Sequence, residues 1–320
     1  MKKKMLLALP VVVFIAALLS AGSAYTKDNP LASRSIDPIV STDWLAANSS
    51  LKDLVIIDIR SAAQYGSGHI PNAINIPFVR SGSAWVVTRD GLELELPDQA
   101  DLFKVIGSAG IKNDSRVVIV NDALPTDSQT PPTYPRSYAT RVADTLIYAG
   151  VKNVAVLDGG HTKWVKEGKA LSKDPVTPVP LTYRGDVDKK MFVPKEYVRE
   201  HIGKAVIIDS RDPDAYFGAI LQPIAQKIGH IPTAKSLPSI WIWDAKNTTY
   251  KQTAVLENMA FGVIGQDKEK EIIVTCGTGN NASAWWFVLT QVLGYKNVKF
   301  YDGSAQEWSK YYDMVPYRWE

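Results

Sequence analysis

The two halves of the chain carry the same landmarks in the same order. Each half has an aliphatic run ending in Asp-x-Arg, a Gly-His-Ile-Pro turn, a second aliphatic run, and an Asp-Gly pair with a tryptophan six residues after the aspartate. Four paired landmarks in order indicate two copies of one domain within the 320 residues. The pairs are Val55–Arg60 with Val206–Arg211, Gly68–Ala73 with Gly229–Ala234, Val117–Val120 with Ile272–Val274, and Asp158–Trp164 with Asp302–Trp308.

The short Val- and Ile-rich runs predict buried strands of a largely parallel sheet, with helical segments between them. We expect helices over Arg136–Tyr148 and Ala282–Leu293, because a glycine follows each segment closely. The segment Gly168–Pro180 holds three prolines and little periodicity, which is typical of a linker. The sequence therefore predicts an α/β protein with an N-terminal domain at residues 25–172, a linker at 173–185 and a C-terminal domain at 186–320.

The N-terminus has the pattern of an export signal. Lys2, Lys3 and Lys4 precede an apolar run, and small residues follow it as far as Ala24. A short basic segment, an apolar stretch of about 7 to 15 residues and small residues at the cleavage point are typical of a secretory signal. We expect cleavage after Ala24 and a periplasmic or secreted protein; retention of residues 1–24 as an anchor is the alternative. Without the three lysines the chain has 33 basic and 33 acidic residues, and this balance gives no support to a nucleic-acid binder.

Cys276 is the only cysteine, so the chain cannot form an intramolecular disulfide. It follows a predicted strand and precedes the loop Gly277–Asn281, with a helix expected to begin near Ala282. The C-terminal edge of a parallel strand and the N-terminus of a helix both favour an anion, and both lower the pKa of a thiol. Two glycines in the loop allow several backbone amides to approach one sulfur. The sequence therefore predicts a reactive thiolate instead of an inert core cysteine.

The landmarks resemble those of the tandem rhodanese sulfurtransferases over nearly the whole mature chain. Asp209-Ser-Arg211, Gly229-His-Ile-Pro232, the strand into Cys276 and Asp302-Gly-Ser304 with Glu307-Trp308 carry the resemblance. It implies two tandem rhodanese-like domains, each a largely parallel sheet flanked by helices. In that family the second domain is catalytic and the first has lost its cysteine. We expect Asp122 to occupy the position in the first domain that corresponds to Cys276.

The resemblance also implies a mechanism and a set of site residues. Cys276 attacks a sulfane sulfur and becomes a persulfide, which a nucleophile such as cyanide or a thiol then discharges. The backbone amides from Gly277 to Asn281 are expected to hold the terminal sulfur, and the reaction requires neither a metal nor an organic cofactor. The expected partners are a small sulfur donor and a small acceptor, with a protein sulfur acceptor as a further candidate. The predicted binding residues are Gly277, Thr278, Gly279, Asn280, Asn281 and Arg211.

The donor stays open between thiosulfate and 3-mercaptopyruvate. The loop Cys276–Gly279 resembles the mercaptopyruvate-type loop, since the thiosulfate-type loop carries basic residues after the cysteine. Mercaptopyruvate-type enzymes, however, have arginines between the Asp-Ser-Arg and Gly-His-Ile-Pro motifs, whereas Tyr216–Ile228 contains only Lys227 as a basic residue. A bidentate carboxylate clamp is hard to build from lysine. Arg211 is repeated as Arg60, and this repetition favours a structural ion pair in both domains.

Three other functions were weighed against sulfur transfer. A dinucleotide site is suggested by Gly277-x-Gly279-x-x-Ala282, but the 18 residues after Asp302 are too few for the remaining strands of a nucleotide-binding unit. A cysteine phosphatase needs an arginine six positions after its cysteine, and Ala282 stands there. A non-enzymatic persulfide carrier serving a partner protein uses the same Cys276 loop and is the main alternative.

The histidines are expected to be structural. His69 and His230 lie in equivalent turns although only one half has a cysteine, and His161 and His201 are isolated without metal-ligand spacing. The segment Asp122–Arg136 is longer than its counterpart after Cys276 and contains four prolines, so it is expected to form an exposed loop or to lean over the domain interface.

Overall fold

A computed structural model describes residues 34–80, 82–125 and 134–320. Its strands form two parallel sheets, one from each half of the chain, and an antiparallel hairpin. The first half contains β1 (Ile39–Val40), α1 (Thr42–Asn48), β2 (Leu54–Asp58), α2 (Ala62–Ser67), β3 (Ala73–Asn75), β4 (Val87–Arg89), β5 (Leu92–Glu95), α3 (Gln99–Ser108), β6 (Arg116–Val120), α4 (Tyr134–Tyr148), β7 (Asn153–Leu157) and α5 (Gly160–Lys166). The second half contains α6 (Lys195–Glu200), β8 (Val206–Asp209), α7 (Pro213–Phe217), β9 (Lys235–Ser236), α8 (Thr253–Val263), β10 (Ile272–Thr275), α9 (Asn280–Phe287), β11 (Val298–Phe300) and α10 (Ser304–Tyr311).

The two sheets have the same topology, as the duplicated landmarks predict. The first runs β1-β7-β6-β2-β3 and the second β11-β10-β8-β9, with every neighbouring pair parallel. A bridge from Phe192 to Phe300 takes the place that β1 has in the first sheet. The aliphatic runs occupy β2, β6, β8 and β10, whose central residues are buried because helices cover both faces of each sheet. The predicted α/β class is confirmed.

The strand register corrects the predicted equivalence of Asp122 with Cys276. Ile59 N–H donates to the Val120 carbonyl, and Ser210 N–H donates to the Thr275 carbonyl at the same point of the second sheet. Val120 therefore matches Thr275, and the residue that follows Val120 is Asn121. The backbone contact of the last helix agrees, because His161 N–H donates to Asn121 and Ala305 N–H donates to Cys276. Asn121 is the true counterpart of Cys276.

Both predicted helices exist, but each begins earlier than expected. The first spans Tyr134–Tyr148, two residues longer than predicted. The second is α-helical over Asn280–Phe287 and continues as a π-helical turn over Val288–Val292. The early start of α9 brings its first N–H groups close to the cysteine, which affects the site described below.

Each half repeats a buried ion pair beside a buried histidine. Arg60 pairs with Asp58 at 2.6 Å and Arg211 pairs with Asp209 at 2.6 Å, all four side chains being almost fully buried. His69 and His230 stack on Tyr65 and Tyr216, with ring centroids 3.7 and 3.9 Å apart. Since the same arrangement is present in the half without a cysteine, it serves the fold of both domains.

The two domains pack through α4 and α9. Thr140 Oγ1 lies 2.7 Å from Ser283 Oγ, and Ser283 Oγ donates to the Ser137 carbonyl. Phe287 of α9 belongs to the core of the first domain. The hairpin of β4 and β5, which the sequence interpretation did not anticipate, also reaches across, since the Glu93 N–H and carbonyl both bond the Gln306 side chain.

Residues 173–185 contain no helix or strand and lie against the first domain, where Leu181 N–H donates to the Gly107 carbonyl. The predicted signal, residues 1–24, and most of the long loop after Asp122, residues 126–133, lie outside the described residues. Within the described part of the chain, no helix is long and apolar enough to cross a membrane.

Candidate active site

Cys276 directly follows β10, at the C-terminal edge of the second sheet. It is only 2% exposed, and its backbone N–H donates to Ser304 Oγ at 3.1 Å. The sulfur therefore lies between the end of β10 and the start of α9, as the sequence predicts. The chain must turn from the strand into the helix within four residues, Gly277–Gly279 forming the tight part of that turn.

Three backbone N–H groups, those of Thr278, Asn281 and Ala282, favour the charged form of the Cys276 sulfur. We call these three groups the amide cradle. Burial nevertheless raises the pKa of the Cys276 thiol, and the N–H groups of the cradle only partly oppose this effect, while the negative charge of Asp209 adds to it. The expected lowering of the thiol pKa is therefore wrong for the resting protein. An apolar, buried position costs the thiolate more solvation than three amides return.

The composition of the cradle also differs from the predicted run of Gly277–Asn281. Gly279 N–H donates to Ser304 Oγ at 3.1 Å, beside the Cys276 N–H. Ser304 Oγ donates in turn to the Tyr301 carbonyl. Ala282 belongs to the cradle although sequence reasoning placed it at the helix start only, because α9 begins two residues earlier than expected. Ser304 Oγ thus holds the backbone of the loop at both Cys276 and Gly279.

Gly279 is the glycine that the loop requires. Its φ is +78°, in the left-handed region that side chains disfavour, and it forms the N-cap of α9. A β-carbon there would lie 2.4 Å from Asp302 Oδ1. Gly277 has no such conformation, and a β-carbon there would meet only the Ile224 and Gln222 side chains at 3.3 and 3.5 Å.

Two further predicted residues, Asn280 and Asn281, are the first residues of α9. Asn280 is 1% exposed, and neither polar atom of its amide has a hydrogen-bond partner among the described residues. Asn281 is partly buried, and its Oδ1 accepts from Ser137 Oγ of the first domain at 3.2 Å. The structure therefore brings all five predicted loop residues to the sulfur or its immediate surroundings, and the N–H groups of Thr278 and Asn281 favour its charged form.

Arg211 lies beside the loop, but its guanidinium is occupied. Nε and Nη2 donate to Asp209, and Nη2 also donates to the Gly229 carbonyl at 2.6 Å. Nη1 has a 3.4 Å contact with Gln222. A guanidinium held in this way has no second free edge for a bidentate clamp on a substrate, and substrate binding by Arg211 stays a prediction. The structure instead favours the ion pair that its repetition in Arg60 indicates.

The first domain contributes side chains that sequence reasoning missed. Tyr134 begins α4 one turn before Ser137, and burial raises its pKa, with the charge of a Cys276 thiolate raising it further. The Arg80 guanidinium stands 5.9 Å from the centroid of the Tyr134 ring. No sequence signal links these residues to Cys276, because only the packing of the two domains brings them near it.

In residues 34–80, 82–125 and 134–320, no three His, Cys, Asp or Glu side chains come together in a way that could hold a metal ion.

The chain contains two copies of one α/β domain, and only the second copy has a cysteine in an amide cradle. This fold and this site are typical of the rhodanese class. The family model "Rhodanese-like domain" matches residues 41–167 and 194–311, so the chain belongs to the rhodanese-like family. It is a tandem rhodanese sulfurtransferase.

Individual relatives span nearly the full chain. A putative thiosulfate sulfurtransferase of Mycolicibacterium smegmatis is 30% identical over 288 residues, covering 87% of this chain and 96% of the relative. The sulfur carrier protein TtuD of Thermus thermophilus is 31% identical over 285 residues, covering 84% and 93%. The crystal structure of the 3-mercaptopyruvate sulfotransferase SseA of Escherichia coli has a TM-score of 0.67 at 26% identity, covering 84% of this chain and 99% of that one.

Proposed function

We propose that the protein moves a sulfane sulfur from a small donor to a nucleophilic acceptor through a persulfide on Cys276. The donor is thiosulfate or 3-mercaptopyruvate, and the acceptor is cyanide or a thiol. The single observation that carries the proposal is the position of Cys276 between the end of β10 and the start of α9, where the backbone N–H groups of Thr278, Asn281 and Ala282 favour a negative charge on its sulfur. Fixed donors aimed at one atom stabilise the charge that develops there during a reaction.

In the first half-reaction, the deprotonated Cys276 sulfur forms a bond with the sulfur that is transferred, which is the outer sulfur of thiosulfate or the thiol sulfur of 3-mercaptopyruvate. The bond that joined this sulfur to the rest of the donor breaks, and its electron pair leaves with sulfite or with the enolate of pyruvate. In the second half-reaction, the acceptor forms a bond with the terminal sulfur, and the electron pair of the S–S bond returns to Cys276. No external oxidant or reductant is required.

The cradle acts on the charge of both sulfur forms. Because burial raises the pKa of the Cys276 thiol, the resting cysteine holds its proton near neutral pH, and the proton must leave before attack. Once the persulfide forms, its anionic terminal sulfur extends from the same position toward the loop. Hydrogen bonds from preorganised amides in a buried site are stronger than in water, and we propose that they hold this anion until the acceptor arrives.

The choice of donor rests on charged groups outside the cradle. Arg211 is held by Asp209, and Lys227, the only basic residue in Tyr216–Ile228, donates to Asp313 and to the Tyr312 carbonyl. Neither residue supports a dedicated carboxylate clamp from the second domain. The relatives named as thiosulfate and as 3-mercaptopyruvate enzymes support both donors equally.

The alternative is a persulfide carrier that serves a partner protein. The relative named as a sulfur carrier protein supports it. Against it stands the 2% exposure of Cys276, since a protein thiol has to reach a nearly closed sulfur. We also propose that the protein acts outside the cytoplasm, on the strength of the basic, apolar and small-residue segments that end at Ala24.

A panel of two donors and two acceptors tests the proposal. Thiosulfate and 3-mercaptopyruvate are each combined with cyanide and with a dithiol, and initial rates of product release are measured. Turnover with at least one small donor and one small acceptor supports the enzyme. Persulfide formation without turnover on any small acceptor supports the carrier, and absence of persulfide with both donors contradicts both functions.

A further inference from the structure

The pseudo-symmetry of the two domains is broken at one buried arginine. Asp158 and Asp302 occupy equivalent positions, and each accepts a backbone N–H from the opposite domain, Tyr250 to Asp158 at 2.8 Å and Leu96 to Asp302 at 2.8 Å. Asp302 has an additional partner, Arg141 of α4, with Nη1 at 2.7 Å from Oδ1. Among the described residues, no arginine pairs with Asp158. Among the described residues, therefore, only the aspartate beside the Cys276 loop has an arginine partner from the other domain.

Arg141 is held by hydrogen bonds from Nη2, whereas Nε and Nη1 have no hydrogen-bond partner among the described residues. Its side chain is fully buried. The Nη2 group donates to Asp302 Oδ2 at 2.9 Å and to the Leu94 carbonyl at 2.8 Å. The rings of Phe192 and Phe300 lie 5.6 and 5.2 Å from the guanidinium carbon. A planar guanidinium in this setting has one orientation, and a lysine cannot reproduce its fork.

The Arg141–Asp302 ion pair lies directly against Gly279. A β-carbon on Gly279 would lie 2.4 Å from Asp302 Oδ1 and 3.2 Å from Arg141 Nη1. Two residues after Asp302, the Ser304 hydroxyl accepts the N–H groups of Cys276 and Gly279. Ser304 has a φ of +50°, an uncommon conformation for a residue with a side chain, so its backbone depends on its surroundings.

We propose that Arg141 of the first domain is a positioning residue for the amide cradle, acting through Asp302. By fixing the Asp302 carboxylate, Arg141 sets the backbone that leads to Ser304 and the space left for Gly279, and thereby the direction of the N–H groups that reach the Cys276 sulfur. Removal of Arg141 leaves a buried carboxylate without its counter-ion beside the loop, and this destabilises the arrangement of Asp302. The first domain is then part of the machinery and not only a support. This inference rests on the proposed role of Cys276.

The test compares Arg141→Met and Arg141→Lys with Asp158→Asn, the matched change at the equivalent contact of the other half. Two readouts are used: the single-turnover rate of persulfide formation, and the pH dependence of Cys276 alkylation by iodoacetamide, which measures the thiol pKa without any sulfur donor. A contact that only joins the domains lowers the melting temperature without moving the thiol pKa.

We expect both Arg141 variants to slow persulfide formation by about tenfold or more and to raise the thiol pKa further, because misaligned amides no longer stabilise the thiolate. The KM for the donor should change little. Asp158→Asn should keep both readouts within about twofold of the wild type. Asp302→Asn should reproduce the rise in thiol pKa, and it replaces the arginine variants if these do not fold.

An unchanged thiol pKa in the folded Arg141 variants, or in Asp302→Asn, overturns the inference, as does an equal rise in Asp158→Asn. Failure of the proposed function has a different signature. In that case the wild type forms no persulfide with either donor, while alkylation still reports whether Arg141 controls the thiol.

Discussion

At the Cys276 sulfur, two physical effects act on the same negative charge. Three backbone N–H groups stabilise it, while nearly complete burial and the nearby Asp209 destabilise it. The loop therefore binds an anion in a place where a thiolate is costly to form. This combination suits a sulfur that is neutral at rest and carries charge only after deprotonation or as a persulfide.

The raised pKa of the Cys276 thiol predicts the pH dependence of the first half-reaction. The rate of persulfide formation should rise by nearly tenfold per pH unit from pH 6 to pH 8, since the thiolate fraction grows in proportion while the pH is well below the raised pKa. Single-turnover kinetics with a donor that does not titrate in this range, such as thiosulfate, measure it. A rate that is already flat at pH 7 contradicts the raised pKa.

Substitutions at Gly279 and Asn280 separate backbone from side chain in the loop. Gly279→Val places a side chain at φ +78° and within 2.4 Å of Asp302 Oδ1, at a conformational cost of about 1 to 3 kcal/mol in addition to the clash. We expect it to slow persulfide formation by about 100-fold or more, because the cradle donors are displaced. Asn280→Ala leaves the backbone intact and should slow the reaction much less.

Both variants are assayed by single-turnover persulfide formation after thermal melts have verified folding. A larger loss in folded Asn280→Ala than in folded Gly279→Val requires that the buried Asn280 amide, whose polar atoms have no partner among the described residues, contacts the donor instead.

At the scale of elements, periodicity and repetition predicted most of the architecture. The aliphatic runs are the strands β2, β6, β8 and β10, and the helices α4 and α9 overlap the predicted segments, each beginning two residues earlier. The predicted equivalence of Asp122 with Cys276 is wrong because the sequence pattern does not show at which residue a strand ends. Pairing the four-residue run Val117–Val120 with the three residues Ile272–Val274 leaves the position after the strand uncertain by one residue. Only the backbone hydrogen bonds assign Asn121 to the place of Cys276.

The first-domain loop lacks the geometry of the cradle for a simple reason of length. In the second domain α9 begins four residues after Cys276, whereas α4 begins 13 residues after Asn121. Asp122 accepts from Gln64 Nε2 at 2.8 Å and lies 3.6 Å from His161, all within its own domain. The helix start that supplies amides to the sulfur is therefore separated from the strand end in the first half.

We accordingly predict that Asp122→Ala leaves single-turnover persulfide formation within about twofold of the wild type. The variant should lose about 1 kcal/mol of unfolding free energy, the usual contribution of one hydrogen bond. Denaturant unfolding and the single-turnover assay measure the two effects separately. A loss of activity as large as that from removing the Cys276 thiol contradicts a non-catalytic first domain.

At the scale of the whole molecule, the domain interface holds what no single-sequence pattern could predict. Arg141, Glu95 and Tyr134 come from the first domain, yet they lie beside Asp302 or the sulfur of the second. Each is distant in sequence from Cys276, and none belongs to a repeated landmark. Their positions follow from the packing of α4 on α9 and from the β4–β5 hairpin, which has no counterpart among the duplicated motifs.

The interface also predicts a pH-dependent stability. Burial, together with the charges of Asp302 and Glu307, raises the pKa of Glu95 to about 8, and Arg141 opposes this only in part. Between its ordinary pKa and about 8, Glu95 keeps a proton in the folded state that it releases on unfolding. The unfolding free energy should therefore fall as pH rises through this range.

Glu95→Gln removes this contribution, so the stability of the variant should gain on that of the wild type from pH 5 to pH 8 and keep a constant difference above that. Denaturant unfolding at pH 5, 6, 7, 8 and 9 measures the difference. Parallel curves for the two proteins would mean that Glu95 is solvated in the folded state.

The central claim, a persulfide on Cys276, is tested most directly by intact-protein mass spectrometry after treatment with a sulfur donor. The wild type should gain the mass of one sulfur atom, lose it on addition of cyanide, and release thiocyanate in equal amount. Folded Cys276→Ser should gain no sulfur and retain no transfer, because serine keeps the shape of the side chain without a sulfur nucleophile. Sulfur bound to the serine variant, or transfer by it at more than a few per cent of the wild-type rate, would contradict the account.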